Sequence, residues 1–360
     1  MSASEHDADE QSAGDQDPGE QGTPGTGSDA PRPPRLGIPR ADEPDAGIAG
    51  PGGPSPGSPG LGIPRAGDSE QGVAGPSPQS PGPPGLGIPK ADAPEEPSSD
   101  RTPADIANEM NERGIAYAQS GETERALAEF TRAIETSPAT KEPYNNRGNL
   151  LLDVGQPERA EDDYNHALEI DPQYVDPYCG RAAARRALGR SDEALADYEQ
   201  ALALQPGKVN AFLGRGETRR LLGQLDGALD DFDQAMEIGS DPDRVAALTG
   251  RGAVLADVGE FDRALQDLDR AIGIAPNSIT ALNNRGVVLL GAGRPEGAIA
   301  DFDKVLEQQP LLVAALVNRG RAHASAGSQW KARSDFERAL AVTADEGLRA
   351  RINTLMERLT

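Results

Sequence analysis

Apolar and small residues recur at helical spacing from residue 103 onward, and the whole pattern repeats about every 34 residues. An arginine followed by a small residue marks each copy of the pattern. These arginines are Arg113, Arg147, Arg181, Arg215, Arg251, Arg285 and Arg319. The steps between them are 34, 34, 34, 36, 34 and 34 residues. A fixed period of this length predicts stacked supersecondary units instead of a single compact core.

Other positions keep the same phase and predict two antiparallel helices in each unit. A glycine lies seven residues beyond each small residue, an alanine follows five residues later, and a large apolar residue comes four residues after that. The large residues are Phe130, Tyr164, Tyr198, Phe232, Leu268, Phe302 and Phe336. Small residues let two helices approach closely, while the large side chain fills the space beside them. The glycine suits a turn between the helices, and a proline ends the second helix of most units.

This pattern resembles the tetratricopeptide repeat, with its 34-residue consensus W-x2-L-G-x2-Y…A-x3-F…P. The likeness covers seven units, about residues 107–344. The resemblance implies an all-α, right-handed superhelical solenoid of seven helical hairpins with a concave, peptide-binding inner face. We assign the repeats to residues 103–344 and a capping helix to residues 345–360, which makes fifteen helices in all.

The two ends of the solenoid carry their own signals. Thr102 and Pro103 form a start signal for the first helix. The last sixteen residues place apolar side chains on one helical face, as a capping helix requires. These side chains are Leu348, Ile352, Leu355, Met356 and Leu359. The 36-residue step falls at "EIGSDPDRV", where we expect a loosened or tilted junction near residues 239–242.

Each unit departs from the family pattern by having arginine where leucine usually precedes the small residue. An acid follows each arginine at a distance of 16 residues, which lies roughly opposite it in a hairpin. The acids are Glu129, Asp163, Asp197, Asp231, Asp267, Asp301 and Asp335. We predict repeated structural ion pairs such as Arg147–Asp163 and Arg285–Asp301. The alternative is that both charges extend separately into solvent.

The first helix of each hairpin lines the concave side in this family, so the residues around the repeated arginine are candidate ligand contacts. They are Asn145, Asn146, Asn149, Arg186, Asn210, Arg220, Asn283, Asn284, Asn318 and Arg321. Asparagine suits such a groove because its amide donates to and accepts from a peptide backbone. Asn146, Asn284 and Asn318 resemble part of the asparagine ladder in O-linked sugar transferases. The alternative is an ordinary solvated polar surface.

Another ligand class is not expected. Chaperone-tail binders of this family use a clamp of Lys, Asn and Arg across three hairpins. Here Asn111 and Ile115 stand where its first pair would be. The sequence therefore predicts that this clamp is absent.

Residues 1–102 form a separate, acidic arm that we expect to be disordered. Its first 100 residues contain 17 Asp or Glu, 5 Lys or Arg, 20 of the 31 prolines and no aromatic residue. Such a composition cannot bury enough apolar surface to offset the entropy lost on folding.

The arm carries one short motif three times, as "LGIPRAD" at 36–42, "LGIPRAG" at 61–67 and "LGIPKAD" at 86–92. The candidate contact residues are Leu36, Ile38, Pro39, Arg40, Leu61, Ile63, Pro64, Arg65, Leu86, Ile88, Pro89 and Lys90. Leucine and isoleucine at a spacing of two point to one side of an extended strand, and the basic residue adds a charge. Three copies favour avidity for a partner with repeated sites. Alternatively, the motifs dock into the chain's own groove.

Composition and motifs argue against most other functions. The formal charge of −24 disfavours nucleic acid and anionic membranes as partners. The sequence contains neither an apolar run long enough for a membrane span nor a signal peptide, which favours the cytoplasm. The sequence has no phosphate loop and no metal-ligand set, and Cys179 is its one cysteine. We therefore expect no catalytic residues, metal or cofactor.

The sequence predicts a non-enzymatic scaffold that binds one or more proteins. Its groove would hold an extended peptide, and its arm would recruit a multivalent partner. Two alternatives remain open, namely a self-assembling structural scaffold and a cargo protein targeted to a shell or condensate by the three motifs.

Overall fold

A computed structural model describes residues 101–359, and all regular secondary structure in that range is α-helical. The helices are α1 (Pro103–Gln119), α2 (Thr123–Thr136), α3 (Lys141–Asp153), α4 (Pro157–Ile170), α5 (Val175–Ala187), α6 (Ser191–Leu204), α7 (Val209–Leu221), α8 (Leu225–Ile238), α9 (Asp241–Asp257), α10 (Phe261–Ile274), α11 (Ile279–Gly291), α12 (Pro295–Gln308), α13 (Val313–Ser325), α14 (Gln329–Val342) and α15 (Glu346–Glu357). The predicted all-α fold with fifteen helices is confirmed for this part of the chain. The expected disorder of the arm and its three motifs lie outside the described residues.

One type of turn joins the two helices of every hairpin. In the second hairpin, Gly155 has φ of 74° and donates its N–H to the carbonyl of Leu152 at 3.0 Å. The next residue, Gln156, donates to the carbonyl of Leu151 at 2.9 Å. These two bonds satisfy carbonyls at the end of the first helix, as in a Schellman motif. The repeated glycine is required here because side chains on Cβ disfavour positive φ.

In the second and fourth hairpins, the large apolar residue of the second helix packs between two successive first helices. Phe232 of α8 is 2% exposed and lies against Gly216 of α7 and Gly250 of α9. A Cβ added at Gly250 would stand 2.5 Å from the Phe232 ring. The ring therefore belongs to the hairpin-to-hairpin core as much as to its own hairpin, and each unit depends on its neighbours for burial.

The first helices form the inner side of the stack. Each odd-numbered helix from α1 to α13 contacts the next odd-numbered helix directly. Successive even-numbered helices from α2 to α14 show no comparable contact within residues 101–359. Closer spacing on the odd-numbered side makes that side concave. We call the surface formed by α1, α3, α5, α7, α9, α11 and α13 the inner surface.

Both ends of the stack are closed by local interactions. Thr102 accepts from the Asp105 N–H at 3.2 Å, and its own N–H donates to the Asp105 carboxylate at 2.9 Å. Asp105 thereby completes a capping box at the start of α1. At the other end, Leu348 and Ile352 of α15 join the apolar core next to α13 and α14. The last helix thus covers the apolar face that the seventh hairpin would otherwise expose.

The junction between the fourth and fifth hairpins differs from the sequence expectation of loosened packing. The two extra residues lengthen α9 at its N-terminus, where Ser240 and Asp243 form a capping box. An apolar cluster continues across the junction from Phe232 of α8 to Ala247 and Val254 of α9. The insertion is absorbed as additional helix, so the core on either side of it stays in contact.

Phe302 provides a test of this shared core because its side chain is fully buried. We expect Phe302→Ala to lower the free energy of unfolding by about 3–5 kcal/mol, through lost burial and a residual cavity. The urea midpoint measures the loss, with Leu311→Ala as an apolar control that is 62% exposed. Equal midpoints for the two variants would contradict the assignment of Phe302 to the core.

Candidate functional site

The predicted arginine–carboxylate pairs are formed in all seven hairpins. Arg147 donates from Nε and Nη2 to the two oxygens of Asp163 at 2.8 and 2.7 Å. Arg285 contacts Asp301 at the same two distances. The first hairpin is weaker, because the longer Glu129 receives a single contact from Arg113 at 3.0 Å. The other pairs are Arg181–Asp197, Arg215–Asp231, Arg251–Asp267 and Arg319–Asp335.

The same guanidinium also reaches the preceding hairpin, which the sequence reasoning missed. Nη1 of Arg147 donates to Thr131 of α2 at 3.0 Å, and Nη1 of Arg319 donates to Asp303 of α12 at 2.7 Å. Equivalent contacts join Arg181 to Asn165, Arg251 to Asp233 and Arg285 to Asp269. The sequence does contain a pattern that could have indicated these contacts, since a polar residue follows the large apolar residue in each unit.

These contacts set the electrostatics of the arginines. Hydrogen bonds from Arg285 to Asp301 raise the pKa of its guanidinium, and a further bond to Asp269 adds to the effect. Arg319 follows the same pattern with Asp335 and Asp303. Arg285 and Arg319 therefore stay charged while each of them joins two hairpins. Their role is structural.

Two of the predicted groove residues are buried and engaged within the solenoid. Asn149 is buried and accepts from the Tyr164 hydroxyl at 2.7 Å. Arg220 is also buried and contacts Glu217 at 2.7 Å and Asp257 at 2.8 Å. Burial alone would lower the pKa of Arg220, but the two carboxylates raise it. These residues brace neighbouring helices, so a ligand role for them would require breaking internal bonds.

Asn146 makes a bond between hairpins. Its Nδ2 donates to Oδ1 of Asn111 at 3.0 Å, which links α3 to α1. Asn111 is itself buried. Asn111, which stands where the first pair of the absent clamp would be, is therefore hydrogen-bonded to another side-chain amide on the inner surface.

Four other predicted groove residues carry a buried polar atom without a hydrogen-bond partner. The atoms are Asn145 Oδ1, Arg186 Nη1, Asn283 Oδ1 and Asn318 Nδ2. A fifth such atom among the described residues is the hydroxyl of Tyr198 on α6. Buried polar groups are nearly always paired with protein or with ordered water, so these atoms are candidate contact points for water or for a ligand. The unpaired atoms include both donors and acceptors.

The remaining predicted residues are half-buried on the first helices. Asn210 lies on α7, Asn284 on α11 and Arg321 on α13. Arg321 donates to Oδ1 of Asn318 at 3.3 Å. Burial lowers the pKa of Arg321, in contrast to the paired arginines. Of the ten predicted residues, three thus make bonds between helices, four carry an unpaired buried atom, and three are half-buried.

Cys179 does not contribute to this surface as a reactive group. It is 1% exposed, and burial raises the pKa of its thiol to about 12. A thiol at that pKa is almost wholly protonated at neutral pH and therefore a poor nucleophile. Among the helices of residues 101–359, none has the length and apolar content to cross a membrane.

Two family models, both described as tetratricopeptide repeat, match this chain. One matches residues 142–174, and the other matches residues 179–241 and 283–347. The unmatched hairpins are the first and the fifth, in which Glu129 replaces aspartate and Leu268 replaces the aromatic residue. Both hairpins nevertheless keep the glycine turn and the arginine–acid pair.

Two solved structures share the fold with TM-scores above 0.5. A tetratricopeptide repeat protein from Parabacteroides merdae ATCC 43184 is 22% identical, with a TM-score of 0.57, over 71% of this chain and 98% of its own. A chain of the APC/C hetero-tetramer Cut9–Hcn1 is 16% identical, with a TM-score of 0.60, over 68% of this chain and 48% of its own. YrrB, a TPR protein with an unusual peptide-binding site, is 30% identical over 52% of this chain and 95% of its own, with a TM-score of 0.38. A search of curated proteins found no match.

The arginine contacts predict that two acids of neighbouring units contribute very differently to the free energy of unfolding. Asp301 is 3% exposed and holds two bonds from Arg285, whereas Asp262 is exposed and contacts Arg294 at 3.4 Å. We expect Asp301→Ala to reduce the free energy of unfolding by about 3 kcal/mol, because it leaves a partly buried guanidinium without its main partner.

The matched control, Asp262→Ala, removes a surface ion pair and should cost about 0–1 kcal/mol. Urea unfolding followed by circular dichroism measures both changes. Losses of similar size would show that the repeated pairs are no more important than surface ion pairs.

Proposed function

We propose that this chain, which belongs to the tetratricopeptide repeat family, is a non-enzymatic adaptor that binds two protein partners by different means. The inner surface takes an extended peptide segment of one partner. The LGIP motifs at 36–42, 61–67 and 86–92 recruit a second, multivalent partner. Mediating protein–protein contacts is the general role of this family.

The observation that supports the first half of this proposal is the set of unpaired polar atoms on the first helices. Asn145 and Asn283 offer acceptors, whereas Arg186 and Asn318 offer donors. An unpaired buried group costs about 1–3 kcal/mol, which a ligand with complementary groups recovers on binding. A folded chain tolerates several such groups on one surface when that surface serves for binding.

A peptide backbone is the ligand that best fits this mixture of groups. An extended segment presents an N–H donor and a carbonyl acceptor at every residue, whatever its side chains. Donor and acceptor atoms on α3, α5, α11 and α13 can therefore pair with different residues of one long segment. Small-molecule ligands do not need polar groups spread over so many hairpins.

The second half of the proposal depends on the arm sequence. Spacers within a 25-residue repeat give a reach of about 25–30 Å between motifs, and the many prolines extend it further. Weak binding at each motif then adds up on a partner with repeated sites. Leu36, Ile38 and their equivalents supply the apolar contacts, and Arg40, Arg65 and Lys90 supply the charge.

The groove can be tested with peptides from a phage-displayed library of random 12-residue sequences selected on the full chain. We expect Asn145→Ala combined with Asn283→Ala to weaken the binding of the selected peptides about thirtyfold, since each removed amide bond contributes about 1 kcal/mol. Fluorescence anisotropy gives the dissociation constants. Asn277→Ala, in an exposed loop, is the control and should leave binding unchanged. Equal affinities of the peptides for the double variant and the wild type would show that these two amides do not contact the peptide.

The arm can be tested by quantitative pull-down from lysate of the source organism. The variant replaces Leu36, Ile38 and the equivalent residues of the other two motifs with alanine. We expect it to lose a set of partners that the groove variant retains, because the two sites act independently. Light scattering of the chain without residues 1–102 adds a control, since assembly by that fragment alone favours a self-assembling scaffold. Loss of the same partners in both variants would contradict two separate sites.

A further inference from the structure

The second helix of the seventh hairpin begins differently from the second helices of the other six. The second residue of α14 is Trp330, the one tryptophan of the chain. Its counterparts are all acids, namely Glu124, Glu158, Asp192, Asp226, Asp262 and Glu296. Trp330 is 73% exposed, and no other aromatic residue of the described range 101–359 is exposed. A solvent-exposed indole is typical of a binding surface.

Arg333, one helical turn further along α14, is a second departure from the repeat. Five of the other six hairpins have leucine or isoleucine at this position. Leu229, for example, packs against the apolar clusters of both the fourth and the fifth hairpin. Because α14 is followed by α15 instead of another hairpin, the leucine is dispensable here, but this does not account for the tryptophan.

The neighbourhood of Trp330 carries unpaired positive charge. Lys331 and Arg333 are exposed, and neither forms an ion pair in the part of the chain that the structure describes. The ammonium group of Lys331 lies 5.6 Å from the centre of the Trp330 ring. We call Trp330, Lys331 and Arg333 the α14 surface. It combines an apolar face with two cations that are available to an acidic ligand.

The chain contains a segment of matching charge. Residues 313–360 contain eight Arg or Lys and five acids, whereas residues 101–312 contain 22 Arg or Lys and 37 acids. Residues 1–30 contain eight acids and no Arg or Lys. An acidic segment is therefore repelled by most of the solenoid and attracted to the end that carries the α14 surface.

We propose that the stretch "DQDPGE" at residues 15–20 binds the α14 surface of the same chain. The ring of Pro18 packs on the indole of Trp330, as proline does on aromatic side chains in Pro-rich recognition. The acids on either side of Pro18 pair with the two cations of the α14 surface. The LGIP motifs at 36–42, 61–67 and 86–92 then lie in a loop whose ends are held at α14 and at α1.

The length of the arm is sufficient for this contact. The 80 residues between Glu20 and Arg101 give an r.m.s. reach of about 45–55 Å, which the prolines extend further. Six steps between first helices separate α1 from α13, which amounts to about 50–60 Å. The other stretch of similar composition, "DAPEEP" at 92–97, ends six residues before Pro103 and reaches only about 20 Å.

A weak contact is enough because both partners belong to one chain. A tether of this kind gives an effective concentration on the order of 1 mM, at which a contact with a Kd of about 0.1 mM is about 90% occupied. The short stretch therefore does not need the large interface of a tight complex.

Trp330 makes the contact measurable, because the tryptophan fluorescence of the full chain comes from this residue alone. The variant combines Asp15→Asn, Asp17→Asn and Glu20→Gln. We expect its acrylamide quenching constant to be about twofold that of the wild type at low salt, since the bound stretch covers one face of the indole. About 0.5 M NaCl should raise the wild-type constant to the value of the variant, because salt screens the charge pairs.

The control variant combines Asp92→Asn, Glu95→Gln and Glu96→Gln, which also removes three acids beside prolines. It should keep the wild-type quenching constant. Equal constants for the wild type and the 15–20 variant, or a rise of the same size in the control, would overturn the proposal. Protection of Trp330 that disappears on dilution from about 50 µM to about 1 µM would show binding to a second copy, and would overturn docking within one chain. No partner or peptide enters this measurement, so its outcome is independent of the proposed groove and motif functions.

Discussion

The solenoid depends on an arginine that holds two hairpins at once. In Arg285 and Arg319 two guanidinium nitrogens bind the acid of their own hairpin and a third binds an acid of the hairpin before it. The planar fork of arginine makes this geometry possible, and lysine would not reproduce it. The contact recurs at five of the seven arginines and helps to fix the spacing of the first helices, between which large residues such as Phe302 are buried.

The inner surface follows from that spacing. First helices that stand close together bury polar side chains between them, and some of these side chains find partners while others do not. Asn149 and Arg220 are satisfied inside the solenoid, whereas Asn145, Asn283 and Asn318 each retain an unpaired atom. The inner surface thus carries unpaired polar atoms, and these atoms are the physical basis of the proposed peptide binding.

The repeat period predicted the hairpins, the turn glycines and the arginine–acid pairs, because each of these depends on spacing within one unit. It did not predict the further contact that five of these arginines make to the preceding hairpin, which depends on the offset between successive hairpins. The same offset decides that Arg220 of α7 bonds Asp257 of α9, so the role of Arg220 was not readable from helical position alone.

The most direct test is an NMR titration of protein labelled with ¹⁵N-asparagine, using a peptide selected from the random library. Side-chain amide signals of Asn145, Asn283 and Asn318 should shift as the peptide saturates the chain, while the signal of exposed Asn277 should stay in place. Saturable peptide binding without a shift in those three signals would contradict a ligand role for the unpaired amides of the inner surface.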